Sequence, residues 1–280
     1  MNVKNEVLYL RKLYKRNKKI LNCLARKTDK NKVNLHWWSM RRDDNSENVG
    51  DYLSIVICQY MLSRRKLTLD TSVHGTKHLY TVGSIIQGGA QNAVIWGSGL
   101  KHGVSDFGKL ARLTRKLDIR LVRGPETRRA LILNGYECPE LYGDPAIIMP
   151  LIYQPKETEK KDYAILLHHD TNRSILNSIT PVTNNYKELI DYIYNSKLVI
   201  SSSLHGIILA ETYGIPAILL TDRETSNRFK YNDYYYSTER FDYPVAQSIE
   251  EALALQPAHL PNLTDIRKNI LNSFPYDLWN

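Results

Sequence analysis

The sequence predicts an α/β protein with two mostly parallel sheets that are covered by helices. The 280-residue chain is long enough for two domains of ordinary size. From about residue 31 onward, short β-branched runs alternate with amphipathic stretches, which is the pattern of repeated strand–helix units. The alternation stops once, over a charged segment with prolines at residues 150–162, and then starts again. These observations place a domain boundary in that segment.

The first half of this pattern predicts strands alternating with two helices. The strands are expected over residues 33–37, 78–82, 93–96 and 119–122, and the helices over 50–62 and 125–133. A Gly-Ser-Gly segment follows the third strand, and Asn134-Gly135 is a good C-cap pair for the second helix.

The second half repeats the alternation and ends in helices. Strands are expected over residues 163–167, 198–201 and 216–220, helices over 186–194 and 204–213, a polar tyrosine-rich loop over 222–243, and further helices at about 248–255 and 263–273. The predicted divisions are a basic helical arm (1–30), an N-terminal Rossmann-like domain (31–150), a C-terminal Rossmann-like domain (151–261) and a C-terminal helix (262–280). The two domains are expected to face a cleft in which ligands bind beyond the carboxyl ends of the strands.

The net charge of +9 resides almost entirely in the first 30 residues. That segment has ten basic residues against two acidic ones, a charge of +8, which leaves +1 for the remainder. Apolar residues recur within it at helical spacing, so it is a candidate basic amphipathic helix for an anionic membrane surface. The alternative is a solvated helix that caps the domain with its apolar side. Nucleic acid is not expected as a partner, because no aromatic or glycine pattern of a known module accompanies the basic residues.

Several protein classes are excluded by composition. No apolar run reaches the 18 or so residues of a membrane-spanning helix, and the first 30 residues lack the features of a secretion signal. The three cysteines have no CxxC spacing, so neither a disulfide framework nor a zinc site is expected. The predicted location is the cytoplasm, with peripheral attachment to the inner face of the plasma membrane as a further expectation.

Two candidate site motifs lie at helix starts in the first half. In Asn48-Val-Gly50-Asp51, the glycine allows close backbone approach and Asp51 is a candidate base for an incoming hydroxyl; the alternative is a carboxylate that caps the helix. In the second motif, Arg123 ends a strand and precedes a helix start, which is a good arrangement for binding an anion. The alternative for Arg123 is an ion pair with a neighbouring carboxylate.

The richest motif is Ser201-Ser202-Ser203-Leu204-His205-Gly206, at a predicted strand-to-helix turn. The hydroxyls, the helix-start N–H groups and the imidazole would converge on one bound anion, and the histidine would donate a hydrogen bond or a proton near neutral pH. The alternative is a serine-capped helix with a core histidine. Glu211, two turns further on, is either a ligand or a buried structural carboxylate.

Three weaker candidates remain. Gly143-Asp144-Pro145 is a turn by composition, with Asp144 as a candidate functional group. In His168-His169-Asp170, successive residues of a strand face opposite sides, so a ligand contact by one histidine is favoured over metal binding. The tyrosine-rich segment from Arg228 through Lys230 to Tyr236 combines cations and aromatic rings, which suit a phosphate and a sugar face.

In their order along the chain, these motifs resemble the polysaccharide pyruvyl transferase family. The matching pieces span about residues 48–237 and are Asn48-x-Gly50-Asp51, Gly97-Ser98-Gly99, Arg123 with its helix, Gly143-Asp144-Pro145, His168, Ser202-x-Leu204-His205-Gly206 with Gly214-Ile-Pro216, and Phe229-Lys230. Each piece is short, and the ordered set is what makes the resemblance specific.

The resemblance implies a glycosyltransferase-B-like fold and transfer of pyruvate from phosphoenolpyruvate onto two hydroxyls of one sugar as a cyclic ketal. His205 is then the acid or phosphate partner, Asp51 the base and Arg123 the anion clamp, with no metal or redox cofactor. Family members often carry an arginine where this chain has Ser203, so Lys230 or Arg228 is expected to replace it. The acceptor would be a glycan on a lipid carrier at the cytoplasmic face of the membrane.

Two other functions stay open at this point. A sugar-nucleotide-dependent glycosyltransferase would share the same two-domain shape and the helix-start phosphate site. A non-catalytic membrane- or glycan-binding protein would retain its activity when His205 or Asp51 is replaced by alanine.

Overall fold

The computed structural model describes residues 28–37, 48–88, 91–103, 115–168, 175, 177–181, 185–221 and 228–280. Within these ranges, no helix is long and apolar enough to cross a membrane. The predicted basic arm, residues 1–30, falls almost wholly outside the described residues, and its helical form therefore stays a prediction.

The first sheet is parallel and holds the strands in sequence order. The strands are β1 (Val33–His36), β2 (Lys77–Tyr80), β3 (Ala93–Trp96) and β4 (Leu117–Leu121), joined in the order β1-β2-β3-β4. Helix α1 (Val49–Ser63) follows β1, a 3₁₀ turn (Ile86–Gly88) follows β2, and helix α2 (Pro125–Leu133) follows β4. Because the strands run parallel, the segments that follow them gather at one edge of the sheet.

The second sheet is also parallel but has a crossed strand order. Its strands are β5 (Ala164–Leu166), β6 (Ser178–Ile179), β7 (Val199–Ser201), β8 (Ala217–Leu220) and β9 (Val245–Ala246), in the order β6-β5-β7-β8-β9. Its helices are α3 (Tyr186–Tyr194), α4 (Leu204–Thr212), α5 (Phe229–Ser237) and α6 (Ile249–Ala254). A 3₁₀ segment (Pro145–Leu151) precedes this sheet, and the predicted boundary at residues 150–162 lies between the two sheets.

The last helix leaves the second half and returns to the first. Helix α7 (Thr264–Asn272) and a final 3₁₀ turn (Tyr276–Trp279) close the chain. The indole nitrogen of Trp96, on β3, donates to the carbonyl of Ile270 at 3.1 Å. The Tyr276 hydroxyl donates to the carbonyl of Met61, at the end of α1, at 2.7 Å. The C-terminal residues therefore brace the first sheet.

One apolar core joins the two halves. It includes side chains of α1, of the 145–151 segment and of α4, and these three elements lie between the sheets. Helix α4 is buried on nearly every side, which explains why residues 207–210 are Ile-Ile-Leu-Ala without an amphipathic pattern. The α/β fold class with two parallel sheets is confirmed.

The prediction of a tyrosine-rich loop over residues 222–243 is wrong for the nine residues that form a helix. Residues 229–237 form helix α5, in which Tyr231, Tyr234 and Tyr235 are buried. Their spacing of three and four residues places them on one face of a helix, and that face packs into the core. These three rings are therefore core side chains and not a sugar-binding surface.

Candidate active site

The start of α1 forms one wall of the candidate site. The side-chain oxygen of Asn48 accepts a hydrogen bond from the backbone N–H of Gly50 at 2.9 Å, so Asn48 is the N-cap of the helix. Asp51 lies in the first helical turn, where its carboxylate faces Gly83 in the segment after β2. Asn48, and not Asp51, therefore caps the helix. Asp51 is the acidic residue of the first helical turn.

His205 of the second half packs directly on Gly50 of the first. A Cβ atom built on Gly50 would lie 2.0 Å from Nδ1 of His205 and 2.6 Å from Cγ, so only glycine fits at this position. His205 is the second residue of α4 and its side chain is 14% exposed. The imidazole thus sits where the starts of α1 and α4 meet.

The opposite nitrogen of the same ring faces Asp144. Nε2 of His205 lies 3.4 Å from Oδ2 of the fully buried Asp144. The other carboxylate oxygen, Oδ1, accepts the backbone N–H of Ala146 at 3.0 Å and caps the 3₁₀ segment. Neither Nε2 nor Oδ2 has a hydrogen-bond partner among the described residues. Asp144 and His205, which the sequence presents as separate candidates, therefore lie side by side in the structure.

The serines before α4 divide into different tasks. The buried Ser201 hydroxyl donates to the Leu166 carbonyl at 3.0 Å and accepts the backbone N–H of Ser203, so it shapes the turn. Ser202 accepts the backbone N–H of His168 through its hydroxyl at 2.8 Å. Ser203 occupies the N-cap position without a side-chain capping bond. A Cβ on Gly206 would lie 2.4 Å from the Ser201 hydroxyl, so this glycine allows the tight turn.

The Gly-Ser-Gly segment after β3 packs against the segment after β2 and against Pro145. The buried Ser98 hydroxyl donates to the Gly83 carbonyl at 2.8 Å, which joins the segments after β2 and β3. Gly97 has φ of +83°, and its open side is filled by the ring of Pro145. Gly97 and Ser98, which belong to the family pattern as candidate substrate-binding residues, contact Pro145 and Gly83 in the structure.

Arg123 is an internal ion pair and not an open anion clamp. The guanidinium is fully buried; Nε donates to Asp233 at 3.0 Å, Nη1 to the Ser84 hydroxyl at 2.7 Å and Nη2 to the Leu100 carbonyl at 2.8 Å. Burial raises the pKa of Asp233, while Arg123 and Thr127 oppose that shift. The ion-pair alternative is the one that the geometry supports, and it ties the first half to α5.

Glu211 is likewise a structural carboxylate. Its two oxygens each accept a hydrogen bond from Arg240 at 2.6 Å, and one also accepts the Tyr234 hydroxyl at 2.7 Å. Glu211 and Arg240 are both buried. Both oxygens of Glu211 are engaged and buried, which agrees with the structural alternative, and the carboxylate links α4, α5 and the segment after α5.

Helix α5 brings a lysine to the serine turn. The Tyr231 hydroxyl donates to the Ser202 carbonyl at 2.8 Å, and the Lys230 ammonium lies 4.8 Å from the Tyr231 ring centroid. On the other side, Phe229 packs against Gly103 of the first half. Lys230 is therefore a partly exposed cation beside the start of α4.

His168 lies beside Ser202, whereas His169 and Asp170 fall outside the described residues. Over the residues that are described, no group of three or more His, Cys, Asp or Glu side chains is arranged to hold a metal ion. Sequence reasoning missed Gly83 and Asp233. Gly83 faces Asp51 with φ of +108°, and Asp233 pairs with Arg123. Nothing local marks either residue, since both contacts depend on tertiary packing.

Comparison with known proteins found a similar structure and a similar sequence. The structure resembles the crystal structure of an uncharacterized protein from Klebsiella pneumoniae subsp. pneumoniae NTUH-K2044, with a TM-score of 0.50 and 17% identity over 89% of this chain and 100% of that one, a likeness of fold alone. Succinoglycan biosynthesis protein ExoV of Rhizobium meliloti (strain 1021) is 26% identical over 204 residues, which are 67% of this chain and 60% of ExoV.

A family model supplies the broader match. The model described as polysaccharide pyruvyl transferase matches residues 9–223, which is well over half of the chain and includes Asn48, Gly50, Asp51, Asp144 and His205. The chain therefore belongs to the polysaccharide pyruvyl transferase family.

Proposed function

We propose that this protein transfers pyruvate from phosphoenolpyruvate onto two hydroxyls of one sugar, in a bacterial surface polysaccharide or its lipid-linked precursor, and forms a cyclic ketal. Family membership supports the reaction class. One structural observation carries the assignment of the site: His205 lies against Gly50 where the starts of α1 and α4 meet. The two-sheet architecture is compatible with a glycosyltransferase-B-like arrangement, which belongs to the same proposal.

The reaction needs an acid, a base and a site for anions. A proton adds to the methylene carbon of the enol phosphate and leaves a cationic centre at carbon two, which the first sugar hydroxyl attacks as it loses its proton. The bond from carbon two to the phosphate oxygen then breaks, inorganic phosphate leaves, and the second hydroxyl closes the ring with loss of its proton. We assign the acid to His205 and the base to Asp51, because both side chains lie at the meeting point of the two helix starts.

The donor carries a phosphate and a carboxylate, so its site must offer positive charge and N–H donors. Free N–H groups at the start of α4 and the side chains of Ser202 and Ser203 meet part of this need. Because the Arg123 guanidinium is used within the fold, we assign the positive charge to Lys230, with Arg228 beside it at the start of α5. Lys230 would then replace the arginine that family members often carry at the position of Ser203.

We further propose that the basic arm, residues 1–30, holds the enzyme on an anionic membrane where a lipid-linked acceptor is exposed. Its charge of +8 would add electrostatic attraction to apolar burial, and attraction of this kind weakens as salt rises. Sedimentation with anionic and with neutral vesicles, at low and high salt, tests this part. Equal binding to both vesicle types would exclude the electrostatic attachment.

The donor assignment is tested by thermal unfolding with phosphoenolpyruvate, UDP and a UDP-sugar in separate titrations. A ligand that binds only the folded protein raises Tm in proportion to the logarithm of its concentration. We expect a rise with phosphoenolpyruvate that is reduced in Lys230→Gln and His205→Asn and kept in Lys268→Gln, an exposed lysine of α7. A rise with the nucleotides alone would replace this proposal by the sugar-nucleotide-dependent glycosyltransferase.

Turnover gives the second test. Incubation of the protein with phosphoenolpyruvate and a lipid-linked or free oligosaccharide is expected to release one phosphate for each ketal formed. The ketal methyl group is identified by NMR of the purified product. Phosphate release without a new ketal methyl signal would indicate hydrolysis of the donor and would contradict the transfer.

A further inference from the structure

We propose that Asp144 is a positioning residue, which holds His205 through Nε2–H and so leaves Nδ1 as the nitrogen that handles the proton. This inference rests on the proposed function only for the statement that His205 is the acid. It gives Asp144, a candidate functional group in the sequence, a role that acts through the imidazole.

The first argument is hydrogen-bond satisfaction. Oδ2 of Asp144 and Nε2 of His205 are both buried, are 3.4 Å apart, and have no other hydrogen-bond partner among the described residues. A buried polar atom without a partner destabilises the folded state. A bond from Nε2–H to Oδ2 satisfies both atoms at once. The distance is longer than the usual 2.7–3.2 Å range for such a bond, as is common for catalytic pairs before substrate binds.

The second argument is that Asp144 is held rigidly. Its Oδ1 accepts the N–H of Ala146 at 3.0 Å, and the next residue, Pro145, fills the open side of Gly97. The carboxylate has no exposed surface. Because Oδ1 caps Ala146 and Pro145 is packed on Gly97, the carboxylate is held with Oδ2 on the side of His205.

The third argument concerns the other side of the ring. Nδ1 and Cγ of His205 lie against Gly50, so the imidazole is fixed between the Asp144 carboxylate and the first turn of α1. With hydrogen on Nε2, the neutral ring carries its lone pair on Nδ1, on the side of Gly50 and Asp51. When the ring is protonated, Nδ1–H is the proton that is available for transfer.

The charged groups on the elements that pack around His205 single out one direct contact with the ring. The element that carries Asp144 offers one buried carboxylate, and α1 offers Asp51 together with the positive end of its helix dipole. The acidic residue of α4 is Glu211, which is paired with Arg240, and α5 carries Lys230. Among these groups, the Asp144 carboxylate is the one whose contact with the ring is direct, at 3.4 Å from Nε2.

The test compares Asp144→Asn with the unmodified protein. Asparagine keeps an oxygen to cap Ala146, but its amide would donate to Nε2 and so favour hydrogen on Nδ1. We expect kcat for pyruvyl transfer to fall about 100-fold or more, with KM for phosphoenolpyruvate changed less than threefold. Asp144→Ser keeps a capping hydroxyl that is too short to reach the ring, and we expect a comparable loss of kcat. Asp265→Asn, an exposed aspartate of α7, is the matched control and keeps full activity.

A spectroscopic reading separates this inference from the proposed function. In protein labelled with ¹⁵N-histidine, the nitrogen shifts distinguish the two neutral tautomers, and loss of one signal set in His205→Gln assigns the residue. We expect the Nε2–H tautomer in the unmodified protein and the Nδ1–H tautomer in Asp144→Asn. An Nδ1–H tautomer in the unmodified protein, or no change in Asp144→Asn, would overturn the inference. Since no substrate is present, the expected result would stand even if the pyruvyl transfer assay failed.

Discussion

Replacement of Gly50 by alanine tests the contact on which the site assignment depends. The new Cβ would lie 2.0, 2.6 and 2.7 Å from Nδ1, Cγ and Cε1 of His205. Real carbon contacts to such atoms begin at about 3.4 Å, so the ring or helix α1 would have to move by more than 1 Å. The ring cannot retreat freely, because Asp144 lies against its other side.

Two opposing effects set the expected change in stability. Alanine is favoured over glycine inside a helix by about 1 kcal/mol, and Gly50 has an ordinary φ that alanine can adopt. Overpacking of a buried contact costs about 1–3 kcal/mol. The net free energy of unfolding should therefore fall by about 0–2 kcal/mol, which is a small change. The effect on catalysis should be larger, because displacement of a catalytic group by about 1 Å lowers the rate by about 100-fold.

The assay is a double-mutant cycle with His205→Ala. Urea unfolding gives the free energy of unfolding for Gly50→Ala, His205→Ala and the double variant, and kcat/KM is measured for Gly50→Ala. Without the imidazole the clash disappears, so Gly50→Ala should stabilise the His205→Ala protein by up to about 1 kcal/mol. The sign of the substitution is thus expected to reverse between the two backgrounds.

A full retention of kcat/KM in Gly50→Ala, together with the same stabilisation in both backgrounds, would refute the reasoning. It would mean that the ring does not occupy the position beside Gly50 during catalysis. A loss of activity without any coupling between the two substitutions would indicate that Gly50 acts through a ligand and not through His205.

Three further predictions concern ionisable side chains inside the fold. Arg123→Met should cost about 3–5 kcal/mol by leaving a buried carboxylate unpaired, and so lower Tm by roughly 10 °C in calorimetry, whereas the exposed Arg129→Met should leave Tm within about 2 °C. Glu211→Gln should lower Tm while the folded protein keeps its KM for phosphoenolpyruvate; a raised KM with unchanged Tm would return Glu211 to the substrate site. Burial and the Arg115 charge lower the pKa of His78, so the unfolded chain binds more protons below about pH 6.5 and stability falls there; urea unfolding from pH 5.5 to 7.5 should show a smaller fall in His78→Gln.

The local elements could be predicted well because each is encoded by a short pattern. Helix α2 and strand β3 have the predicted bounds, since Pro125 suits a helix start and 93–96 is a short, fully buried apolar run. Helix α5 was missed, because its nine residues are all polar or aromatic and suggested a loop. Only burial shows that the spacing of the tyrosines matters. The very short strands β6 and β9 were also missed, since a two-residue strand has no detectable period.

The candidate site was predictable only as a set of positions. The sequence indicated Gly50, Asp51, Asp144 and His205 as chemically suitable residues at turns and helix starts. It did not indicate which of them contact one another. What each polar group does depends on its neighbours in space. Arg123 and Glu211 have the chemistry of ligand-binding residues. In the folded protein each is buried in an ion pair with a side chain of opposite charge.

The sequence by itself determined the class of fold, the alternation of strands and helices, and the family, since these depend on residue types at short spacings. The tertiary structure decided which polar residues are free to act. Asp233 lies 110 positions from Arg123 along the chain and yet neutralises it, and Asp144 reaches His205 across the junction of the two halves. The physical reason is that burial of a charge is tolerated only beside a compensating group, and the position of that group is set by the packing of whole elements and not by neighbouring residues.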